Sequence, residues 1–395
     1  MPAPLNPPRS TGAVHIASAL LLLFVQVTAA TAQDSTAQPE LRPPLQLSDG
    51  WTTGNLTDAG IAPEPLVELV KEIRAGTYPD VHGVLIARGG RLVFESYFPG
   101  NAYDYQADGL RGPWTEFGPE TLHNTASVTK SITGLLVGIA VDQGCLPGPD
   151  ASVFSFFPEY AYLSDEGKEK ITLAHFLTMT SGLEWNELDV FYTELENDII
   201  QLFLVEDPIE HVLAKPLIHP PASNWYYNGG GVNLLGEVIH RCSEKRLNEF
   251  AQEHLFSPLQ ITRSQWVFVN PDFVYASGDI KLRPRDMAKI GQLVLNEGTW
   301  QGTRIVSAAW VEAMTRKWVA LGPSQGYGFL WWTREYSSGS DLVNAVMADG
   351  WGGQRIMVFP DLGSVVVFTG GNYLQQHRLD EVVSRYILPA LGSSR

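Results

Sequence analysis

The sequence is poor in cysteine, in positive charge and in long apolar runs. Among its 395 residues the cysteines are Cys145 and Cys242 alone, too few to make a structural zinc site by themselves. No His-Glu-x-x-His and no Cys-x-x-Cys pair occurs, and the nine histidines are scattered without ligand spacing, so neither a metal nor any other cofactor is expected. Whether the two cysteines bridge stays open, because sequence carries no distance between them. Lys and Arg number 27 against 43 Asp and Glu, and the resulting formal charge of −16 is spread along the chain. Such a balance argues against nucleic acid and against anionic membrane surfaces as partners. The apolar stretch Ile16 to Val27 has 12 residues, short of the roughly 20 that a spanning helix needs.

That stretch reads as part of an export signal. Arg9 lies in a polar start, the apolar segment follows, and Ala30-Thr-Ala32 precedes Gln33, which places cleavage after Ala32 and the mature product outside the inner membrane, secreted or periplasmic. No cysteine follows that could carry a lipid, and no stable membrane insertion is expected afterwards. Residues 33–50 are polar and Pro-rich, a linker. The body, 51–392, has ample apolar material for a large core: the whole chain is 44% hydrophobic with 11 Trp. Oligomeric state is not legible.

Strand signals gather at both ends of the body. Val81–Arg88 and Arg91–Phe98 flank Gly89-Gly90, and Gln354–Phe359 and Ser364–Thr369 flank Pro360-Asp-Leu-Gly363, two hairpins. A further strand is expected over Tyr327–Thr333. Helical spacing marks Leu66–Arg74, Ser127–Val141, Leu173–Met179, Val232–Cys242, Leu247–His254, Pro284–Asn296 and Leu379–Leu391. The pattern predicts an α+β fold: one antiparallel sheet assembled from about 51–120 and 300–392, covered by helices, with a mostly helical part over about 121–299.

Within that helical part, Ser127-Val-Thr-Lys130 opens an apolar helix. Three residues is close to one turn, so hydroxyl and amine share a face and the amine can take the serine's proton. With 25 serines and 9 lysines, chance alone supplies roughly half such a motif per chain. A second proton carrier is available in Asn224-Trp-Tyr-Tyr-Asn-Gly-Gly-Gly231, where either Tyr226 or Tyr227 could serve. Asp349-Gly-Trp-Gly-Gly-Gln354 then runs into an apolar strand, a place where backbone N–H groups can form an oxyanion hole. A tyrosine beside a flexible turn and a plain glycine turn are the bland alternatives for these two segments.

These three elements, in this order, resemble the serine hydrolases of the β-lactamase and penicillin-binding group, in particular its class C-like branch with esterases, D-aminopeptidases and 6-aminohexanoate-dimer hydrolases. Leu173–Leu183, Asn233–Gly236, Leu282–Met287, Tyr327–Trp332 and Gly352–Gln354 look like further landmarks, and the resemblance covers roughly 51–392. It implies the β-lactamase/transpeptidase-like fold, Ser127 as nucleophile, Lys130 as proton acceptor, and Tyr227 as second proton carrier with Tyr226 as alternative. It also implies oxyanion donors at the backbone of Ser127 and Gln354, and a substrate-binding wall of Asn228, Trp351, Gly352 and Gly353. Two departures stand out. Gly229 occupies a place where the group usually has Asn or Ser, and Trp351-Gly-Gly353 replaces the usual Lys-Thr-Gly or His-Thr-Gly, removing the cation that helps hold a substrate carboxylate.

The reading that follows is a hydrolase of a small ester, amide or peptide. A β-lactamase, D-alanyl-D-alanine carboxypeptidase or D-aminopeptidase is the alternative, and a catalytically inactive binding protein of the same fold is a second.

Overall fold

Two hairpins far apart in sequence meet in one sheet. In the computed structural model, which describes residues 41–392 apart from 166, 340 and 376, Gly89 and Gly90 turn with φ of +60° and +73° between strands Val81–Arg88 and Arg91–Tyr97. Positive φ at both turn positions matches the right-handed twist of the flanking strands. The signal segment, and residues 33–40 of the linker, lie outside the described residues. With β1 as Thr52–Thr53, β2 and β3 as that hairpin, β4 Val319–Ala320, β5 Gln325–Tyr327, β6 Trp332–Ser338, β7 Asp341–Gly350, β8 Gln354–Phe359 and β9 Ser364–Gly370, the nine-stranded order is β1-β3-β2-β9-β8-β7-β6-β5-β4. Pairing of β9 with β2, from Ser364 opposite Arg88 to Gly370 opposite Val81, joins the two ends of the chain.

Helices cover both faces, as expected of this fold class. One face buries its side chains against α1, Pro63–Arg74, and the C-terminal helical segment Leu379–Leu391; the other packs on a body that includes α2, Val128–Asp142, and α3, Gly229–Ser243. Every residue of β8 and β9 is buried, which is why they read as nearly continuous apolar runs rather than alternating ones. Among the described residues no helix is long and apolar enough to cross a membrane.

Several expectations are corrected. The sheet is mixed, since β1 pairs in parallel with β3 after the chain crosses over through α1 and the β2–β3 hairpin. Tyr327–Thr333 is not one strand: Gly328–Trp331 leaves the ladder so that Phe329, Leu330 and Trp331 enter the core. That excursion is held by Leu330 N–H on the Leu177 carbonyl at 2.8 Å, Ser131 Oγ on the Leu330 carbonyl at 2.6 Å and Trp331 Nε1 on the Ser131 carbonyl at 3.2 Å. β7 and the helix Ala308–Thr315 were not anticipated, the former because Asp341, Asn344 and Asp349 dilute its apolar pattern. The last helical segment runs through a wider π turn at Val383–Ile387 just before Pro389, whose missing N–H would interrupt a regular helix. Asp49, in the linker by composition, is buried with Arg285 Nη1 3.0 Å from its carboxylate.

α2 and α3 are bracketed covalently. Cys145, three residues beyond α2, bonds Cys242 in the last turn of α3, with Cα atoms 5.5 Å apart and a sequence separation of 97. Closing a loop of that length restricts the unfolded chain. Replacing both cysteines by serine should lower unfolding stability by about 2–4 kcal/mol in a denaturant titration.

A second stability determinant is polar. His123 Nδ1–H donates to the Asn124 carbonyl at 2.9 Å, leaving Nε2 to accept from His82 Nδ1–H at 2.9 Å, and the His82 ring stacks on Phe117 at 4.2 Å. Burial lowers both rings below the usual 6.5, to about 3 for His82, where neutral His123 would have to become a charged neighbour, and to about 4 for His123. The folded chain thus keeps them neutral where the unfolded chain binds protons, so stability is full above pH 6.5 and falls as pH drops through the window from 6.5 toward 4 and 3. A melting series from pH 7 to pH 4 should show a loss of about 1 kcal/mol per pH unit for each histidine, with a shallower slope in His82→Gln.

Candidate active site

The first turn of α2 stands on a strained corner. Ala126 holds φ of +46°, outside the region that a residue with a Cβ prefers. The corner is fixed on both sides by Ala126 N–H on Asn124 Oδ1 at 2.8 Å and Thr125 N–H on the Ile280 carbonyl at 2.9 Å. Ser127 follows as the N-cap, partly exposed, while Lys130 one turn later is 2% exposed.

Lys130 Nζ has three neighbours at hydrogen-bond distance: Ser127 Oγ at 3.1 Å, Glu187 Oε1 at 3.1 Å and the Ser277 carbonyl at 2.9 Å. The carbonyl is aimed by Asn233 of α3, which donates from Nδ2 to Ser277 Oγ and accepts from Ser277 N–H, both at 3.1 Å. This is the physical content of the Asn233–Gly236 landmark. Tyr227 is buried with its ring 4.6 Å from Lys130 Nζ. Burial first, and the Glu187 carboxylate second, push its phenol well above 10, partly offset by a hydrogen bond with Ser127. Tyr226 goes elsewhere: its hydroxyl meets His219 Nε2 at 2.9 Å and the two rings stack. The structure therefore brings together Ser127, Lys130 and Tyr227, and does not bring Tyr226 to them.

Glu187 was missed by sequence reading. It is fully buried and tied on every side, to Lys130, to Gly229 N–H at 2.6 Å, to Trp185 Nε1 at 3.0 Å and to Tyr192 Oη at 3.3 Å. Its presence explains Gly229. A Cβ there would lie 2.7 Å from Glu187 Oε2 and 2.5 Å from Ile199 Cδ1, so the space of an Asn or Ser side chain is filled instead by a carboxylate from another loop. Only the pairing of an unusual glycine with an acidic residue after Leu173–Leu183 hinted at it.

Asn228 caps α3, its Oδ1 accepting from Gly231 N–H at 2.8 Å, and its buried Nδ2 has no hydrogen-bond partner among the described residues. On the strand side, Gly352 and Gly353 have φ of +82° and +90°, and Gln354 is pinned by Nε2 on the Gly370 carbonyl at 2.5 Å and Oε1 accepting from Gly370 N–H at 3.2 Å. Gly350, which pairs with Gln354, presses on the nucleophile corner: a Cβ there would stand 2.5 Å from the Thr125 carbonyl and 3.1 Å from Ser127 N. The two backbone amides expected to face an oxyanion thus belong to segments in direct contact. Trp351 sits among Tyr103, Phe191, Tyr192 and Tyr373.

Other candidates fall away from the cleft chemistry. His175 Nδ1 accepts from Thr172 N–H at 3.0 Å as part of a helix cap, and His123 belongs to the buried pair described above. The nucleophile-elbow spacing is met at Gly322-Pro-Ser-Gln-Gly326, but Ser324 is exposed in the connection between β4 and β5 rather than between a strand and a helix. Among the described residues no group of three His, Cys, Asp or Glu could hold a metal ion.

Residues 69–385 match the sequence model of the Beta-lactamase family, and the chain belongs to that family. It is similar to the 6-aminohexanoate-dimer hydrolase of Paenarthrobacter ureafaciens, 25% identical over 78% of this chain and 79% of that one, and to esterase EstB of Burkholderia gladioli, 29% identical over 58% and 57%. Its fold is similar to the penicillin-binding protein of Bacillus halodurans, with a TM-score of 0.59 and 16% identity over 81% of this chain and 98% of that one. The protein is a serine hydrolase of the β-lactamase family.

Gly229→Ala should push Glu187 off its seat, lowering the melting temperature and reducing esterase kcat/KM by about 10-fold or more, whereas Gly322→Ala, where a Cβ would meet nothing within 4 Å, should leave kcat/KM within about twofold.

Proposed function

We propose that this chain is an exported hydrolase that cleaves an ester or amide bond through an acyl-enzyme on Ser127. The observation that carries the reading is the triangle of acceptors and donor around Lys130. Nζ donates to Glu187 Oε1 at 3.1 Å and to the Ser277 carbonyl at 2.9 Å, and its third neighbour is Ser127 Oγ at 3.1 Å, so the direction left by the two acceptors is the one along which the serine's proton can pass. In the acylation step the Ser127 O–H bond breaks, its proton goes to Lys130 Nζ, and Oγ bonds the substrate carbonyl carbon. The oxyanion is received by the backbone N–H groups of Ser127 and Gln354, each such donor contributing on the order of 10²-fold in rate.

Tyr227 is a proton donor in this scheme because burial keeps its phenol neutral. As the tetrahedral intermediate collapses, its O–H proton passes to the departing alcohol or amine, and Lys130 returns a proton to Tyr227. Water then attacks the acyl-enzyme, gives a proton to Lys130, and Ser127 recovers its own as the acid leaves.

Esters and amides are favoured over β-lactams and D-alanyl peptides by Trp351, which puts an indole where a cation for a substrate carboxylate would be needed. Asn228, Trp351, Gly352 and Gly353 are assigned to the substrate wall. Export is supported by the N-terminal pattern ending at Ala32 and by the Cys145–Cys242 disulfide, a bond that persists in oxidising compartments.

Incubation of the mature chain with a reactive acyl phosphonate should add one adduct, on Ser127. Ser127→Ala should abolish labelling and lower ester hydrolysis on the order of 10³-fold or more; labelling that persists in that variant sinks the mechanism. Tyr227→Phe should cost on the order of 10²-fold while Tyr226→Phe stays near wild type, and a chromogenic cephalosporin turned over faster than short-chain aryl esters would overturn the substrate assignment.

A further inference from the structure

A closed circuit of contacts runs round the mouth of the Ser127 cleft. On one side Ser127 Oγ meets Lys130 Nζ, Lys130 meets Glu187, and Glu187 Oε1 accepts from Tyr192 Oη at 3.3 Å. On the other, Gly350 presses on the backbone of Ser127 and leads directly into Trp351. Tyr192 and Trp351 close the circuit, with ring centroids 5.0 Å apart and planes 34° from parallel.

Three further rings extend this wall. Phe191 and Tyr373 stand edge-on to Trp351, at 5.3 Å with 85° between planes and at 5.2 Å with 78°, and Tyr103 lies 4.6 Å from Tyr373. Contact with the strand that carries Gln354 is direct: Gln354 Nε2 donates to Tyr373 Oη at 3.3 Å, and a Cβ on Gly352 would lie 2.3 Å from Tyr373 Cε1. Glycine at 352 is what lets that ring sit against the turn.

The loop that supplies Phe191 and Tyr192 is braced at its base. Asp198 N–H donates to the Asn186 carbonyl at 3.0 Å, and buried Asn197 reaches from Nδ2 to the carbonyls of Glu187 at 3.0 Å and Val190 at 2.8 Å. Its apolar side chains are nevertheless open, Leu188 being 57% and Phe191 40% exposed, while Tyr103, Tyr192 and Trp351 are half-buried. Rings that served only to pack the loop would be covered, as Tyr373 is. Aromatic surface held in place yet left open beside a nucleophile suits a flat apolar group of a ligand.

Resting on the acyl-transfer reading of Ser127, we infer that the preferred substrate is an ester or amide of an aryl-bearing carboxylic acid, whose ring is received among Trp351, Phe191 and Tyr192. Phe191 and Tyr192 are then specificity-determining residues. The acyl side is assigned because the departing alcohol or amine takes its proton from Tyr227, which packs on a separate group of rings, Trp225 and Trp332. That leaves the acyl substituent to face Trp351. Edge-to-face and offset contacts favour an aromatic ring over a saturated ring of the same carbon count.

The test uses the mature chain and pairs of esters that differ only in phenyl against cyclohexyl. Two pairs vary the acyl side, the methyl esters of phenylacetic and 3-phenylpropanoic acids with their cyclohexyl counterparts; a third, benzyl acetate with cyclohexylmethyl acetate, varies the alcohol side. For at least one acyl length the aromatic ester should win by about 5-fold or more in kcat/KM, and the ratio should fall to about one or two in Phe191→Leu and in Trp351→Leu but persist in Phe191→Tyr. Phe191 lies at the surface, and a ratio is insensitive to a general loss of activity. Ratios near or below one at both acyl lengths, a preference that either leucine variant leaves intact, or a preference confined to the benzyl acetate pair would overturn the inference. Hydrolysis of these esters with Ser127 labelled would then leave the acyl-transfer reading standing, whereas no hydrolysis of any ester and no label on Ser127 overturns both.

Discussion

Everything in the cleft depends on where the Lys130 amine is held. An extended side chain with four rotatable bonds becomes a directed acid-base group only when its hydrogens are taken, and here they are taken by partners from two other parts of the chain. Glu187 arrives on the loop after Leu183, and Ser277 on the segment that precedes α4, Pro284–Leu295. Asn233 fixes Ser277 from a third direction. Burial of a lysine and a glutamate side by side costs desolvation, and that cost is recovered through geometry, with each remaining oxygen of Glu187 engaged by Gly229, Trp185 or Tyr192. A pair so enclosed leaves Nζ one remaining direction, the one toward Ser127.

The sheet supplies the second constraint. Its strands come from both ends of the body, so the corner before α2 and the glycine turn before β8 are pressed together by the tertiary fold although they are more than 200 residues apart. Gln354 illustrates the economy of this arrangement. Its side chain closes a cyclic pair of hydrogen bonds with Gly370, which stiffens the strand start proposed to supply an oxyanion donor. α4 performs a similar service near the β1–β3 edge of the sheet, where buried Arg285 joins Asp49 and Glu95 and accepts at its carbonyl from Trp51 Nε1, tying the chain entry to the helix.

Much of this was legible in the sequence because it is local. Hairpin turns at Gly89-Gly90, the apolar runs of β8 and β9 and the helical spacing around Ser127 and Lys130 are short-range signals, and the structure places those elements within a residue or two of expectation. What the sequence hid is the result of distant competition. Residues 328–331 carry strand-like side chains, yet they leave the ladder to bury Leu330 and Trp331 against α2. Glu187 was hidden for the same reason: an isolated glutamate in a polar loop looks solvated until the fold shows Lys130 beside it. Tyr226 and Tyr227 could not be separated from composition, since the choice rests on His219 capturing one of them.

The disulfide has a mechanical side. α2 carries Ser127 at its start and α3 begins just after Tyr227, while Cys145 and Cys242 join the opposite ends of the same two helices. The pair works like calipers with a pinned joint, since a helix of 15 residues is stiff over its roughly 22 Å. Any splaying at the joint reappears as a change in the gap between Ser127 and Tyr227. Oxidation of two sulfurs at the far ends of the helices therefore gauges the spacing of the two hydroxyls.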